Sequence, residues 1–189
     1  MYVLLYNQMT LRRLLLALLC CTLAATAKPL DFTGAEDDKE ATTRLVRQLE
    51  KMGVNVRIAG EESIRIKVPN YIICIMPFLS DDGNCLSGFI WFRGKSGANY
   101  KSVKLLALVN RINSELTYPT ACVNKNGSIE FRYVLPFDQK VDTKTLARWI
   151  DSMTNRTDAI MRVHGKQLEK YIGDEPAQVS EPAKPKSGA

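Results

Sequence analysis

The chain has 189 residues, 26 basic and 20 acidic side chains for a formal charge of +6, and 46% hydrophobic residues. That balance excludes a disordered polymer, a collagen-like repeat and a multi-span membrane protein. Arg12 and Arg13 are the only charged residues in the first 27 positions, so the remainder carries a net +4, ordinary for one compact domain able to bury a core.

Arg12-Arg13 leads into an apolar run from Leu14 to Ala24, closed by Ala25-Thr26-Ala27 before Lys28-Pro29. A basic flank, a short apolar run and an Ala-x-Ala end predict a secretory signal over 1–27, cleaved near Ala27, and so a periplasmic or secreted product beginning at Lys28. The run falls short of the roughly 20 residues of a membrane span, and Leu19 occupies the position before Cys20 where a lipoprotein signal carries a small residue. The apolar stretch from Tyr71 to Phe92 is interrupted by Ser80-Asp81-Asp82-Gly83-Asn84, which excludes a span there as well.

Residues 28–39 are polar without a period and read as a leader to a domain over 40–172. Leu45, Val46, Leu49 and Met52 fall at helical spacing, with Gly53 as a stop. Four strand-like runs follow, at 54–58, 63–68, 71–79 and 85–92, separated by turn residues, the pattern of an antiparallel meander. A second helix is expected over about 100–116 on the stripe Leu105, Leu108, Val109, Ile112 and Leu116. Asn126-Gly127 then joins 120–124 to 128–135 as a hairpin. A long third helix is expected from Asp142, a candidate N-cap, with Leu146, Trp149, Ile150, Met153, Ile160 and Leu168 on one face. From 173 to 189 the chain is Pro, Ala, Ser and charge, the composition of a disordered tail. The order helix, strands, helix, two strands, helix describes an α+β domain with three helices packed on an antiparallel sheet.

A turn at Pro69-Asn70 sets Ile66 against Ile73 and Ile64 against Ile75 on one face, leaving Arg65 and Lys67 opposite Cys74 and Ile72 on the other. The second of these strands is then apolar on both faces, as is the strand carrying Phe89, Ile90, Trp91 and Phe92, so both need cover on two sides. Unless the first and third helices take opposite sides of the sheet, Ile72, Met76, Phe89 and Trp91 form a candidate partner surface. The expected state is therefore a homodimer or an obligate complex with another protein.

Several chemistries are missing. His164 is the single histidine, which excludes zinc sites built on several His, and it lies in line with Ile160 and Leu168 as a half-buried helix residue. Gly94-Lys95-Ser96 lacks the Gly that a phosphate loop needs five positions before its second Gly, because Phe89 stands there. The acids of 80–84 are adjacent rather than alternating, which fits a solvated turn and not a calcium loop. No metal, cofactor or nucleic acid is implied. Of the three cysteines beyond residue 27, Cys74 and Cys85 flank one hairpin and are the expected disulfide of an oxidising compartment, although the turn residues centre near Asp82 and the bridge requires a bulge or a wide loop. Cys122 is expected as a small core residue.

The string Leu108-Val109-Asn110-Arg111-Ile112-Asn113, the hairpin from Ala121 to Phe131 and the helix opening Val141-Asp142-Thr143-Lys144-Thr145-Leu146 resemble the bacterial YbjN-domain family over about residues 40–170. The resemblance implies a fold similar to class I type III secretion chaperones, commonly dimeric, and a family labelled as sensory transduction regulators. It supplies no catalytic residue. Asn110 and Asn113 match its motif, and at i and i+3 they share a helix face from which they could bond a neighbouring strand. The function these readings favour is an exported, non-enzymatic protein-binding or regulatory module, chaperone-like in type. The alternatives are a small enzyme using Cys122 or His164, and an anionic membrane-surface binder using Arg93, Lys95, Lys101 and Lys104.

Overall fold

A computed structural model describes residues 28–96 and 100–176; the expected signal segment, 1–27, and the end of the expected tail, 177–189, lie outside the described residues. Helix α1 (Asp38–Lys51) starts where the Asp37 carboxylate accepts the backbone N–H of Glu40 at 2.7 Å, and it buries Ala41, Leu45 and Leu49. Helix α2 (Val103–Glu115) buries Leu105, Leu108, Val109 and Ile112 of the expected stripe, while Leu116, its fifth member, is the half-buried C-cap. Helix α3 (Thr143–Leu168) begins at Asp142 as expected, its carboxylate accepting the N–H of Thr145 at 2.8 Å. Each cap satisfies a backbone donor that the first helical turn cannot.

The main sheet comprises β2 (Val56–Ile58), β3 (Ile64–Lys67), β4 (Ile72–Phe78), β5 (Asn84–Gly94), β6 (Thr120–Val123) and β7 (Ile129–Phe137) in the order β2-β3-β4-β5-β7-β6, with every neighbouring pair antiparallel. The turn at Pro69-Asn70 gives the anticipated register, Ile64 opposite Ile75 and Ile66 opposite Ile73. The Asn126-Gly127 hairpin forms with Gly127 at φ 78°, a conformation that favours glycine. The fold is therefore α+β, with three helices on a large antiparallel sheet.

All three helices pack on the same face of that sheet. Leu45 and Leu49 of α1, Leu105 and Ile112 of α2, and Leu146 and Met153 of α3 share one hydrophobic cluster with Ile64, Ile73, Leu86, Ile90, Phe131 and Tyr133 of the strands. The buried Cys74 and Phe89 stand outside that cluster, because strand alternation sends them to the opposite face. Gly88 marks the closest approach of α3 to the sheet: a Cβ there would lie 2.4 Å from Met153 Sδ and 3.0 Å from Trp149 Cη2. Tyr133 spans the same interface, donating its hydroxyl to the Met153 carbonyl at 3.1 Å and pairing with Thr157 Oγ1 at 2.7 Å.

Two terminal readings are corrected. The segment 28–39 is no loose leader: β1 (Leu30–Asp31) pairs with β8 (Lys140–Val141), Leu30 and Phe32 are buried, and the Phe32 ring stacks on Phe137 at 4.7 Å. Two apolar side chains in a polar stretch make no period, and their partners lie about a hundred residues away. At the other end β9 (Ile172–Pro176) pairs with the end of β5, so residues 173–176 are strand rather than tail. Among the described residues no helix is long and apolar enough to cross a membrane.

Candidate functional site

The face of the sheet opposite the helices carries the densest unassigned chemistry. Alternation along β4 sends Ile72, Cys74, Met76 and Phe78 to this face, and along β5 it sends Cys85, Ser87, Phe89 and Trp91. Strand β7 adds Glu130, Arg132, Val134 and Pro136, and β6 adds Thr120 and Cys122. The four residues expected as a partner surface, Ile72, Met76, Phe89 and Trp91, are thus brought to one face, over which no helix of the described residues lies; Phe89 among them is buried. Ile72, Met76 and Trp91 are half-buried by their neighbours alone, while Phe78 and Val134 are 42% and 43% exposed.

Phe89 and Trp91, two residues apart on β5, stack with their rings 5.5 Å apart and nearly parallel. The Arg132 guanidinium lies 5.4 Å above the Phe89 ring. Glu130, only 5% exposed, ties the arrangement together: its carboxylate accepts the Trp91 indole N–H, the Arg132 Nε and Nη2 at 3.1 and 2.9 Å, and the Asn124 side-chain amide at 3.4 Å. A buried carboxylate is tolerated only when charge and hydrogen bonds answer it, and four donor groups on three residues do so here. Its consequence is positional, because the largest side chains of the face are held in place before anything binds.

One cross-strand row reads Arg132, Phe89, Cys74, Arg65, Arg57 from β7 to β2. The row has an apolar centre and cations at both ends. Lys67 lies on the same face of β3, opposite Ile72. The turn at Pro69-Asn70 already places Arg65 and Lys67 on this face, but Glu130, Arg132 and Arg57 were not singled out from the sequence. The signal was the alternation of Glu130 and Arg132 about Phe131, but it gains meaning only when β7 is placed beside β5, a strand order that the sequence does not display.

The expected Cys74 to Cys85 disulfide is overturned. Among the described residues Cys74, Cys85 and Cys122 are all free, and the register sets Cys74 opposite Phe89 and Cys85 opposite Phe78. Four residues of strand, about 14 Å at roughly 3.4 Å each, separate them, well beyond the Cα separation a disulfide allows. The hairpin turn sits at the asymmetric position suggested by Asp81-Asp82-Gly83, which displaces the cysteines along the ladder. Burial pushes the Cys74 thiol up to about 11, against the opposing pull of the Arg65 charge, and raises that of Cys85 as well. Cys122, expected in the core, is half-buried on the helix-free face beside Glu130.

His164, expected as a half-buried helix residue, is buried in α3, with Nε2 3.0 Å from Glu115 Oε2 at the end of α2. Cys122 and His164 therefore lie on opposite sides of the sheet and cannot act together. Asn113 bonds the edge strand: its amide accepts the N–H of Ala121 at 2.7 Å and donates to the Ala121 carbonyl at 2.9 Å, while Asn110 is exposed. Arg93, Lys95, Lys101 and Lys104 are all exposed; Lys104 lines a shallow groove of about 320 Å³ with Arg111, Lys170, Gln167 and Tyr171. Among the described residues no group of three metal-ligating side chains converges.

Residues 34–161 match the YbjN family, described as "Putative bacterial sensory transduction regulator". A solved structure titled "Crystal structure of YbjN, a putative transcription regulator from E. coli" is similar with a TM-score of 0.54 at 11% identity, covering 70% of this chain and 95% of that chain. At that identity the likeness is one of fold. No curated protein matches the chain.

Proposed function

This chain belongs to the YbjN family, and from that membership and its helix-free sheet face we propose that it is an exported, non-enzymatic regulatory module that docks a protein on that face, in the manner of a chaperone. The observation that carries the proposal is the one-sided packing: α1, α2 and α3 share a single cluster with one face of the sheet, while Ile72, Met76, Phe89 and Trp91 occupy the other. Phe89 is buried among its neighbours, while Ile72, Met76 and Trp91 stay part-exposed beside the exposed Phe78 and Val134, and apolar side chains left open together on a folded domain mark an interaction site. Export rests on the basic, apolar and Ala-x-Ala parts of residues 1–27. A homodimer would use the same face.

The test is site-specific photo-crosslinking in intact cells, with the probe at Val134 on the helix-free face or at Val163, 68% exposed on the helix side. Protein adducts are expected from Val134 and not from Val163. Equal yields from the two positions, or none from Val134, would remove the proposal.

A second reading is favoured by a separate observation. Tyr100, Val103 and Leu106 are 36%, 81% and 41% exposed at the start of α2, beside Lys101 and Lys104. Apolar side chains among lysines suit an anionic bilayer surface. Flotation with phosphatidylglycerol vesicles at low and high salt checks it; binding that Val103→Asp and Lys104→Glu leave unchanged would refute it.

A further inference from the structure

We infer that the occupant of the helix-free face is an amphipathic helix of a different protein, with an apolar stripe flanked by acidic side chains. This rests on the docking proposal above and specifies its partner. The first reason is backbone chemistry. A sheet face offers side chains but no ladder hydrogen bonds, so an element laid across it must satisfy its own N–H and C=O groups, as the three helices on the other face do.

The second reason is dimension. Within the row, Arg132 on β7 and Arg65 on β3 flank the apolar pair Phe89 and Cys74, three strand spacings apart, about 14 Å at roughly 4.8 Å each. A helix with its side chains is about 10 to 12 Å across and matches that width; Phe89 and Cys74 in the floor are already buried, and the half-buried Ile72, Met76 and Trp91 beside them offer the apolar contact. An amphipathic helix in an apolar trough is an established way for a rigid surface to read a partner.

The third reason is charge. Among the side chains that β2, β3, β4, β6 and β7 send to this face, the charged ones are Arg57, Arg65, Lys67, Arg132 and Glu130. The one acid is enclosed by Trp91, Arg132 and Asn124. Among the described side chains of these strands no other carboxylate stands on this face, so a second copy laid over them would bring cations to cations, which opposes self-pairing and favours an acidic partner. Arg132 is set for that role: Nε and Nη2 are held by Glu130 while the guanidinium is half-exposed, leaving Nη1 to receive a partner carboxylate. Fixed in place before binding, Arg132 and Trp91 are of the residue types that dominate binding energy at interfaces.

The experiment takes the photo-crosslinking probe at Val134 in the full chain and sequences the captured segment. Paired charge reversals, Arg57→Glu and Arg132→Glu, are measured separately, with Lys166→Glu on the helix side as control and circular dichroism to confirm folding. The expected result is a segment of another protein with apolar residues at three- and four-residue spacing flanked by Asp or Glu. Each reversal on the face should lower the adduct yield by about tenfold, and Lys166→Glu should leave it unchanged. Arg57, exposed on the edge strand, keeps the test valid if Arg132→Glu perturbs Glu130. Capture of a second copy of this chain, of a neutral or basic segment or of nucleic acid, or yields indifferent to both reversals, would overturn the acidic helix while protein docking on the face could still stand. Absence of any adduct at Val134 would end both.

Discussion

The Glu130 carboxylate accepts the indole N–H of Trp91 from the neighbouring strand, on a sheet face that no helix of the described residues covers. Burying a carboxylate there serves placement more than cohesion, since it also grips Arg132 and fixes it over Phe89. Glu130→Ala removes the shared acceptor and leaves the Arg132 and Trp91 donors to find water. The expected cost is about 1 to 3 kcal/mol in urea unfolding, with circular dichroism unchanged. A variant as stable as the wild type would show that the network contributes nothing to the folded state.

Asn113 acts as a surrogate strand. Its amide makes both hydrogen bonds that a neighbouring peptide would make to Ala121, closing part of the outer edge of β6. Asn113→Ala is expected to destabilise by about 1 to 3 kcal/mol and to promote concentration-dependent association through the opened edge. Asn110→Ala, at an exposed position, should stay within about 0.5 kcal/mol of wild type. Sedimentation and urea unfolding of the two variants distinguish a local role for Asn113 from a general effect of the motif.

Much of the scaffold was legible because it is written locally. The stripe Leu105, Leu108, Val109, Ile112 has one helical period, Asp142 precedes its helix as a capping residue should, and Pro69-Asn70 fixes the β3–β4 register by itself. What escaped depends on distant chain. Phe32 gains its burial from Phe137, β9 from the end of β5, and Glu130 its meaning from Trp91, none of which periodicity can report. The disulfide reading failed for the same reason: sequence proximity of Cys74 and Cys85 said nothing of the four-residue offset that the turn imposes. The site was legible in part, since the doubled apolar pattern of β4 and β5 announced surface needing cover. The pattern alone did not say which face the helices would leave open.

Asp142 supplies a pH dependence. Its carboxyl is held below the usual aspartate range, first by the backbone N–H of Thr145 and then by the Thr145 hydroxyl. A lowered folded value means that the charged form favours the fold, so the contribution is complete above the unfolded value near pH 4 and is lost as pH falls through the lower folded value. Asp142→Ala should therefore cost about 1 kcal/mol at pH 7, and the gap from wild type should narrow below about pH 4. Urea unfolding across pH 3 to about 7 measures it; a gap constant over that range would contradict the assignment.

The cysteines give a chemical check on the register. A non-reducing peptide map of the folded protein should show Cys74, Cys85 and Cys122 as thiols, and iodoacetamide should modify Cys74 more slowly than the half-buried pair. Burial both hides the Cys74 sulfur and holds its thiol at about 11, so little thiolate is present near neutrality. A linked Cys74–Cys85 peptide would require a different β4–β5 pairing.

The central claim is that the apolar side chains on the helix-free face serve a partner and not the core, and Trp91→Lys tests it most directly. Trp91 stands outside the cluster that the helices share, and a lysine there can reach solvent and the Glu130 carboxylate. The measurement is a thermal melt followed by circular dichroism, taken beside the adduct yield from the probe at Val134. A folded variant that melts within a few degrees of wild type but has lost the adduct, by about tenfold or more, is the predicted result. A variant that unfolds as a core position would, or one that folds and still captures the partner at the wild-type yield, would contradict it.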